Sequence, residues 1–117
     1  MKTDQELADA IVAHLGGDGP NNYAAYSIVI DGIAHWMPAE KFVNDWRVAG
    51  AMMEKCVDLP TDPKLYGQED DHQQILLGRG GDGFWCDFPA TKASLEIYAS
   101  NESLPRAINA ACDKALS

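Results

Sequence analysis

Two stretches of this 117-residue chain, residues 38–55 and 103–116, carry apolar side chains at helical spacing and constrain the fold most. In the first, Phe42, Trp46, Ala49 and Met53 recur three or four positions apart and build one apolar stripe. Pro38 opens it at a position where a missing N–H costs nothing. In the second, Leu104, Ile108, Ala111, Cys112 and Ala115 form the stripe behind Ser103, a good N-cap. The spacing predicts helices over 39–56 and 104–116, with Phe42, Trp46 and Met53 buried against Ile108 and Leu7.

The rest of the chain fits around them. Thr3 and Glu6 have the spacing of a capping box, Leu7, Ile11 and Leu15 line one face, and Gly16-Gly17 stops that helix near 4–15. Residues 16–22 are rich in Gly, Asp, Asn and Pro and read as a loop. Tyr26, Ile28 and Ile30 alternate with Ser27, Val29 and Asp31, and Asp31-Gly32 is a strong hairpin turn before Ile33-Ala34-His35-Trp36. A second hairpin is expected from 74–77 and 83–88 around a loose Gly-rich turn at 78–83, and a further strand over 93–99. These elements predict one domain over 1–117, an α+β layered sandwich with a mainly antiparallel sheet and three helices. Their order is α-β-β-α-β-β-β-α.

Composition narrows the partner classes. Hydrophobic residues make up 46%, enough for a packed core, and the charge is -9, from 9 Lys plus Arg against 18 Asp plus Glu. Nucleic-acid affinity comes largely from basic side chains that displace phosphate counterions, and no basic cluster supplies them here, so no nucleic-acid partner is expected. A partner with a basic surface suits this charge, and a second copy of the chain is the other possibility. Cys56, Cys86 and Cys112 are odd in number and widely spaced, which argues for reduced thiols in the cytoplasm rather than a disulfide framework. Met1-Lys2-Thr3-Asp4 leads into a polar helix start, and no run spans a bilayer, so neither a signal peptide nor a membrane is expected.

Pro38-Ala39-Glu40-Lys41-Phe42-Val43-Asn44-Asp45-Trp46-Arg47-Val48, with Met53-Glu54-Lys55 behind it, resembles the central helix of small phage proteins of the ABA-sandwich type, such as the NinX-like accessory proteins. Leu7-Ala8-Asp9-Ala10-Ile11-Val12-Ala13 is similar to that family's opening helix. Gly83-Phe84-Trp85-Cys86 is similar to its Gly-Trp strand, and residues 103–111 to its closing helix. Together the segments cover about half the chain, in the family's order. The Asp31-Gly32 hairpin and the long connection at 59–72 depart from the pattern and leave the strand count open. The resemblance implies a phage or prophage origin and a layered fold, and it carries over no catalytic residue.

No catalytic, cofactor or metal site is expected. Glu69-Asp70-Asp71-His72 sets ligand types side by side, but consecutive loop residues rarely converge on one ion, and the run reads as a solvated acidic loop. The Gly-rich segment 78–83 precedes a strand rather than a helix, which is the wrong context for a phosphate loop. His14, His35 and His72 are scattered; His14 sits where a helix dipole favours its charged form. Cys86 and Cys112 are in core phase, and Cys56 is undetermined. What remains for contact is Trp36, Trp85 and the acidic run Glu69, Asp70 and Asp71. Trp85 is an anchor if no helix covers its face of the strand, and a three-layer sandwich would bury it. The functional expectation is therefore a non-enzymatic accessory protein that binds a host or phage protein, such as an inhibitor of a host factor. The alternative is a small enzyme or ligand-binding domain with a pocket between the sheet and residues 59–72.

Overall fold

Helix α1 (Asp4–Leu15) starts on the anticipated capping box in the computed structural model, which describes residues 2–56, 76–81, 83–87 and 98–117. Glu6 N–H donates to Thr3 Oγ1 at 3.2 Å, and Thr3 N–H donates to Glu6 Oε1 at 3.0 Å. Gly16, at a φ of 68°, closes the helix in the left-handed conformation.

Strands β1 (Ala25–Ile30) and β2 (Ile33–Pro38) pair antiparallel with Ile30 opposite Ile33. That register leaves Asp31 and Gly32 as a two-residue turn, both at positive φ as a type I′ turn requires. Tyr26, Ile28, Ile30, Ile33, His35 and Met37 share one face, and Ala25, Ser27, Val29, Ala34, Trp36 and Pro38 share the other. Tyr26 and Ile28 enter the core. Ser27 is buried on the opposite face, and Asp18 pairs with its backbone through two bonds, of 2.8 and 3.1 Å. Gly17 permits that approach, since a Cβ there would lie 2.3 Å from the Ser27 carbonyl oxygen.

The helix expected over 39–56 is instead two helices, α2 (Ala39–Phe42) and α3 (Trp46–Cys56). Asp45 is the reason. Its Oδ1 accepts the Arg47 N–H at 2.8 Å and the Val48 N–H at 3.3 Å, which makes Asp45 the N-cap of a new helix. The Asn44 amide donates to the Glu40 carbonyl at 2.7 Å, and the buried Asn109 amide donates to the Val43 carbonyl at 3.0 Å. The interruption resets the helical phase. Phe42 is buried as expected, but the buried face of α3 is Val48, Ala49, Met52 and Cys56. Trp46, expected in the core, is 59% exposed, and Met53 is half-buried at the margin.

Helix α4 (Leu104–Leu116) follows Ser103, whose hydroxyl accepts the Arg106 N–H at 3.5 Å. Ile108, Ala111 and Cys112 are buried as their spacing predicts, and α4 packs on α3, on α1 and on the second sheet. That sheet is β3 (Leu76–Gly80), β4 (Gly83–Asp87) and β5 (Tyr98–Asn101), antiparallel throughout. Strand β3 continues through Gly78 to Gly80, which pairs with Gly83, so the turn is tighter than the loose loop expected at 78–83. Of the strand expected at 93–99, only Tyr98 and Ala99 fall within the described residues, and β5 extends past them to Asn101.

The chain is thus α+β, with four helices and two antiparallel sheets among the described residues rather than three helices and one sheet. Each sheet finds its own helices: β1 packs on α1 and α2, whereas β4 and β5 pack on α4. One buried cluster runs through α1, β1, α2, α3, β4 and α4.

Two outcomes test this packing. Replacing the fully buried Phe42 by Ala should cost about 3–5 kcal/mol in a denaturant titration, and Trp46→Ala under about 1 kcal/mol. The second concerns Tyr26, which stacks at 5.8 Å on Phe42 and donates its hydroxyl to Asp9 Oδ1 at 2.7 Å. Burial, and then the Asp9 bond, push its hydroxyl from 10.0 up to about 12. A pKa raised on folding contributes stability that is complete below the unfolded value and lost above it. Wild-type stability should therefore fall more steeply between pH 10 and about 12 than that of Tyr26→Phe, measured by urea titration at each pH.

Candidate functional site

The outward face of the β1–β2 hairpin breaks the usual rule for a half-buried antiparallel sheet, whose second face is normally polar. Its only polar side chain, Ser27, is buried, and its backbone pairs with Asp18 alongside. What faces solvent is Val29 at 67% exposure, Trp36 at 49%, and the exposed Ala34 and Pro38. Val29 lies directly opposite Ala34, and Trp36 opposite Ser27, so these side chains form one apolar surface. Tyr23, 89% exposed, stands just before β1.

The inner face of the hairpin is tied down, which holds the outer face in place. Arg47 reaches His35 Nδ1 at 3.0 Å and Met37 Sδ at 3.7 Å. A guanidinium has no acceptor, so Nδ1 accepts and the ring proton sits on Nε2. Asp45 in turn bonds Arg47 through both oxygens, at 3.1 and 2.9 Å. The guanidinium holds the Asp45 carboxyl below the usual carboxylate range. Asp45 thus caps α3 and orients the arginine that secures β2. Beside Val29, a cavity of about 360 Å³ opens between Leu15, Ile28, Ala51, Glu54 and Lys55.

Of the two tryptophans singled out from the sequence, Trp36 is exposed and Trp85 is half-buried. Trp85 pairs across the strands with Gly78, and its indole covers that glycine. A Cβ at Gly78 would lie 2.2 Å from the ring, so only glycine leaves the indole this place. Glu69, Asp70 and Asp71 lie outside the described residues, as does the pocket expected against 59–72.

Sequence reading missed a cluster around Asp113, a carboxylate almost wholly buried in α4. Lys2 Nζ lies 2.5 Å from Asp113 Oδ2, and His14 Nε2 lies 2.9 Å from Oδ1. The Ser117 hydroxyl donates to the Asp113 carbonyl at 2.6 Å and stands 3.4 Å from Oδ1. Serine, histidine and aspartate are all present, but the hydroxyl bonds Asp113, chiefly its backbone carbonyl, and not the imidazole, so His14 is not placed to activate it. With Arg106 bonded to Asp4 at 2.8 Å and to the Lys2 carbonyl at 3.0 Å, the cluster fastens the N-terminal segment to α4. Lys2 and Asp113 are 111 positions apart, and no local pattern announces the pair.

Cys56, Cys86 and Cys112 are all fully buried, and none of them forms a disulfide. The hydrogen bond between Cys112 and Cys56, then burial, push the Cys112 thiol up, away from the thiolate that a nucleophile needs. Among the described residues, no three His, Cys, Asp or Glu side chains converge as a metal site.

Comparison with protein-family models, with curated proteins and with solved structures finds no match. The arrangement at Trp85 has a direct test. In a Trp36→Phe, Trp46→Phe background, where Trp85 is the sole indole, Gly78→Ala should displace the ring and shift its fluorescence to the red. Unchanged emission would mean that the indole does not rest on Gly78.

Proposed function

We propose that this protein acts by binding another protein through the outer face of the β1–β2 hairpin, with Trp36 as the anchor. The observation that carries this reading is the half-exposed indole, set among exposed Val29, Ala34 and Pro38 on a sheet whose other face sends Tyr26 and Ile28 into the core. Contiguous apolar surface of this kind marks interaction sites, and tryptophan is over-represented among the residues that dominate binding energy. The recess at the edge of this surface, reached past Val29, would admit a partner side chain.

Charge supports a basic partner surface. The chain carries -9, and Lys2, Arg47 and Arg106 are engaged with Asp113, Asp45 and Asp4. That balance argues against direct nucleic-acid binding. Among the described residues no helix is long and apolar enough to cross a membrane. The acidic run Glu69, Asp70 and Asp71, outside the described residues, would steer association in the same sense. The buried thiols and a Ser117 hydroxyl held by the Asp113 carbonyl suit recognition better than turnover. This reading fits a non-enzymatic inhibitor of a host factor working in the bacterial cytoplasm, with the phage or prophage origin that the sequence resemblance implies.

The test is affinity capture from bacterial lysate with wild-type and Trp36→Ala baits, followed by titration of the captured protein. Loss of an anchor should weaken binding by about 2 kcal/mol or more, about thirtyfold, while thermal melts of the two baits coincide. Equal affinity for both baits would show that the hairpin face is not the contact surface.

A further inference from the structure

The backbone of β2 offers more than its side chains. In a two-residue hairpin the closing residues form a hydrogen-bonded pair, and bonded and non-bonded pairs then alternate along the ladder. Ile33, His35 and Met37 therefore turn their amides toward Ile30, Ile28 and Tyr26. Ala34 and Trp36 turn theirs away, toward the outer edge. Pro38, which has no N–H to offer, occupies the next outward position, where proline is tolerated.

The two edges of this small sheet differ. On the β1 side, Asp18 caps the ladder through its two bonds with Ser27. On the β2 side, the described residues provide no strand and no hydrogen bond to the outward amides of Ala34 and Trp36. Natural edge strands are usually blunted by lysine, by proline, by inward charges or by a bulge, and β2 carries only the proline, Pro38, at its last position. Ile33-Ala34-His35-Trp36-Met37 has no charged residue other than what His35 can carry, and its register with β1 is unbroken.

We propose that the free edge of β2 is a strand-addition site for an extended, basic segment of a partner protein. This rests on the reading that the hairpin is the contact surface, and it names how contact is made. The Ala34 and Trp36 amides and carbonyls would pair with the incoming backbone, and its apolar side chains would lie against Trp36 on the outer face. Charge selects the occupant. A second copy of this chain brings another -9 and a second exposed Asp31 to the turn, whereas a lysine- or arginine-bearing segment meets a favourable field.

Amide exchange of the full, isotope-labelled chain tests this, with a capped peptide of alternating Lys and Val, about six residues long, as the probe. The amides of Ala34 and Trp36 should exchange about tenfold more slowly with the peptide, while those of His35 and Met37, already bonded to β1, change little. An alternating Glu and Val peptide should give no protection. Ala34→Pro removes an outward donor and leaves the β1 ladder intact, so it should abolish the protection at Trp36 while the contacts between β1 and β2 persist. Protection that does not alternate, an equal response to the acidic peptide, or the same protection in a dimer without peptide would overturn the proposal. If Trp36→Ala loses the captured partner but Ala34→Pro keeps both partner and peptide, the edge is wrong and the face reading stands. If Ala34→Pro loses both while Trp36→Ala keeps the partner, the edge stands and the anchor assignment falls.

Discussion

A single side-chain hydrogen bond, from the Asn109 amide to the Val43 carbonyl, sits at the point on which the rest of the arrangement turns. Val43 is the last turn of α2, and its carbonyl has no helix to continue into, because Asp45 starts a new one. A buried carbonyl left unpaired costs on the order of 1–3 kcal/mol, and Asn109 reaches across from α4 to prevent that. The same asparagine has its Oδ1 buried with no partner among the described residues, so the arrangement favours one geometry more than it adds stability. With the break held open, α3 leaves at its own angle, Val48 and Met52 turn inward, and Trp46 and Arg47 turn toward solvent and the hairpin.

Arg47 then transmits that geometry to the functional surface. Its guanidinium, clamped by Asp45, supports His35 and Met37 on the inner face of β2. The exposed ion pair between Arg47 and Asp45 is worth little as a source of stability by itself. Its value is positional, because a two-stranded ribbon is marginal alone and needs packing to hold its shape. Asp113 does the same at the opposite end of the chain, where one buried carboxylate draws Lys2 and His14 onto α4.

Three local signals, each with cause and effect within four residues, were legible in the sequence. Thr3 with Glu6, Asp31 with Gly32, and Ser103 before Leu104 each act through their own backbone, and each element begins or turns there. The central helix misled because two helical phases overlap. Phe42, Trp46, Ala49 and Met53 fit one unbroken helix, while Val48, Ala49, Met52 and Cys56 fit a helix that restarts at Asp45. Asn44-Asp45 was the discriminating signal, a capping pair inside an apolar periodicity, and periodicity alone outweighed it. At the site, Trp36 was visible as a candidate, but its exposure depended on which hairpin face Arg47 and the core would claim. The pairing of Trp85 with Gly78 followed from a register one turn tighter than expected. The link between His14 and Asp113 spans 99 positions and left no trace in local pattern.

The three cysteines give the fold an internal clock. Cys56 comes from α3, Cys112 from α4 and Cys86 from β4, and none offers any surface to solvent. An alkylating reagent can reach them only after the helices part from one another or from the sheet. The speed at which the thiols are modified therefore measures how often this core opens, with no probe added to the protein. Separate rates for Cys86 and for the Cys56 and Cys112 pair would reveal whether the sheet and the helices let go together or one before the other.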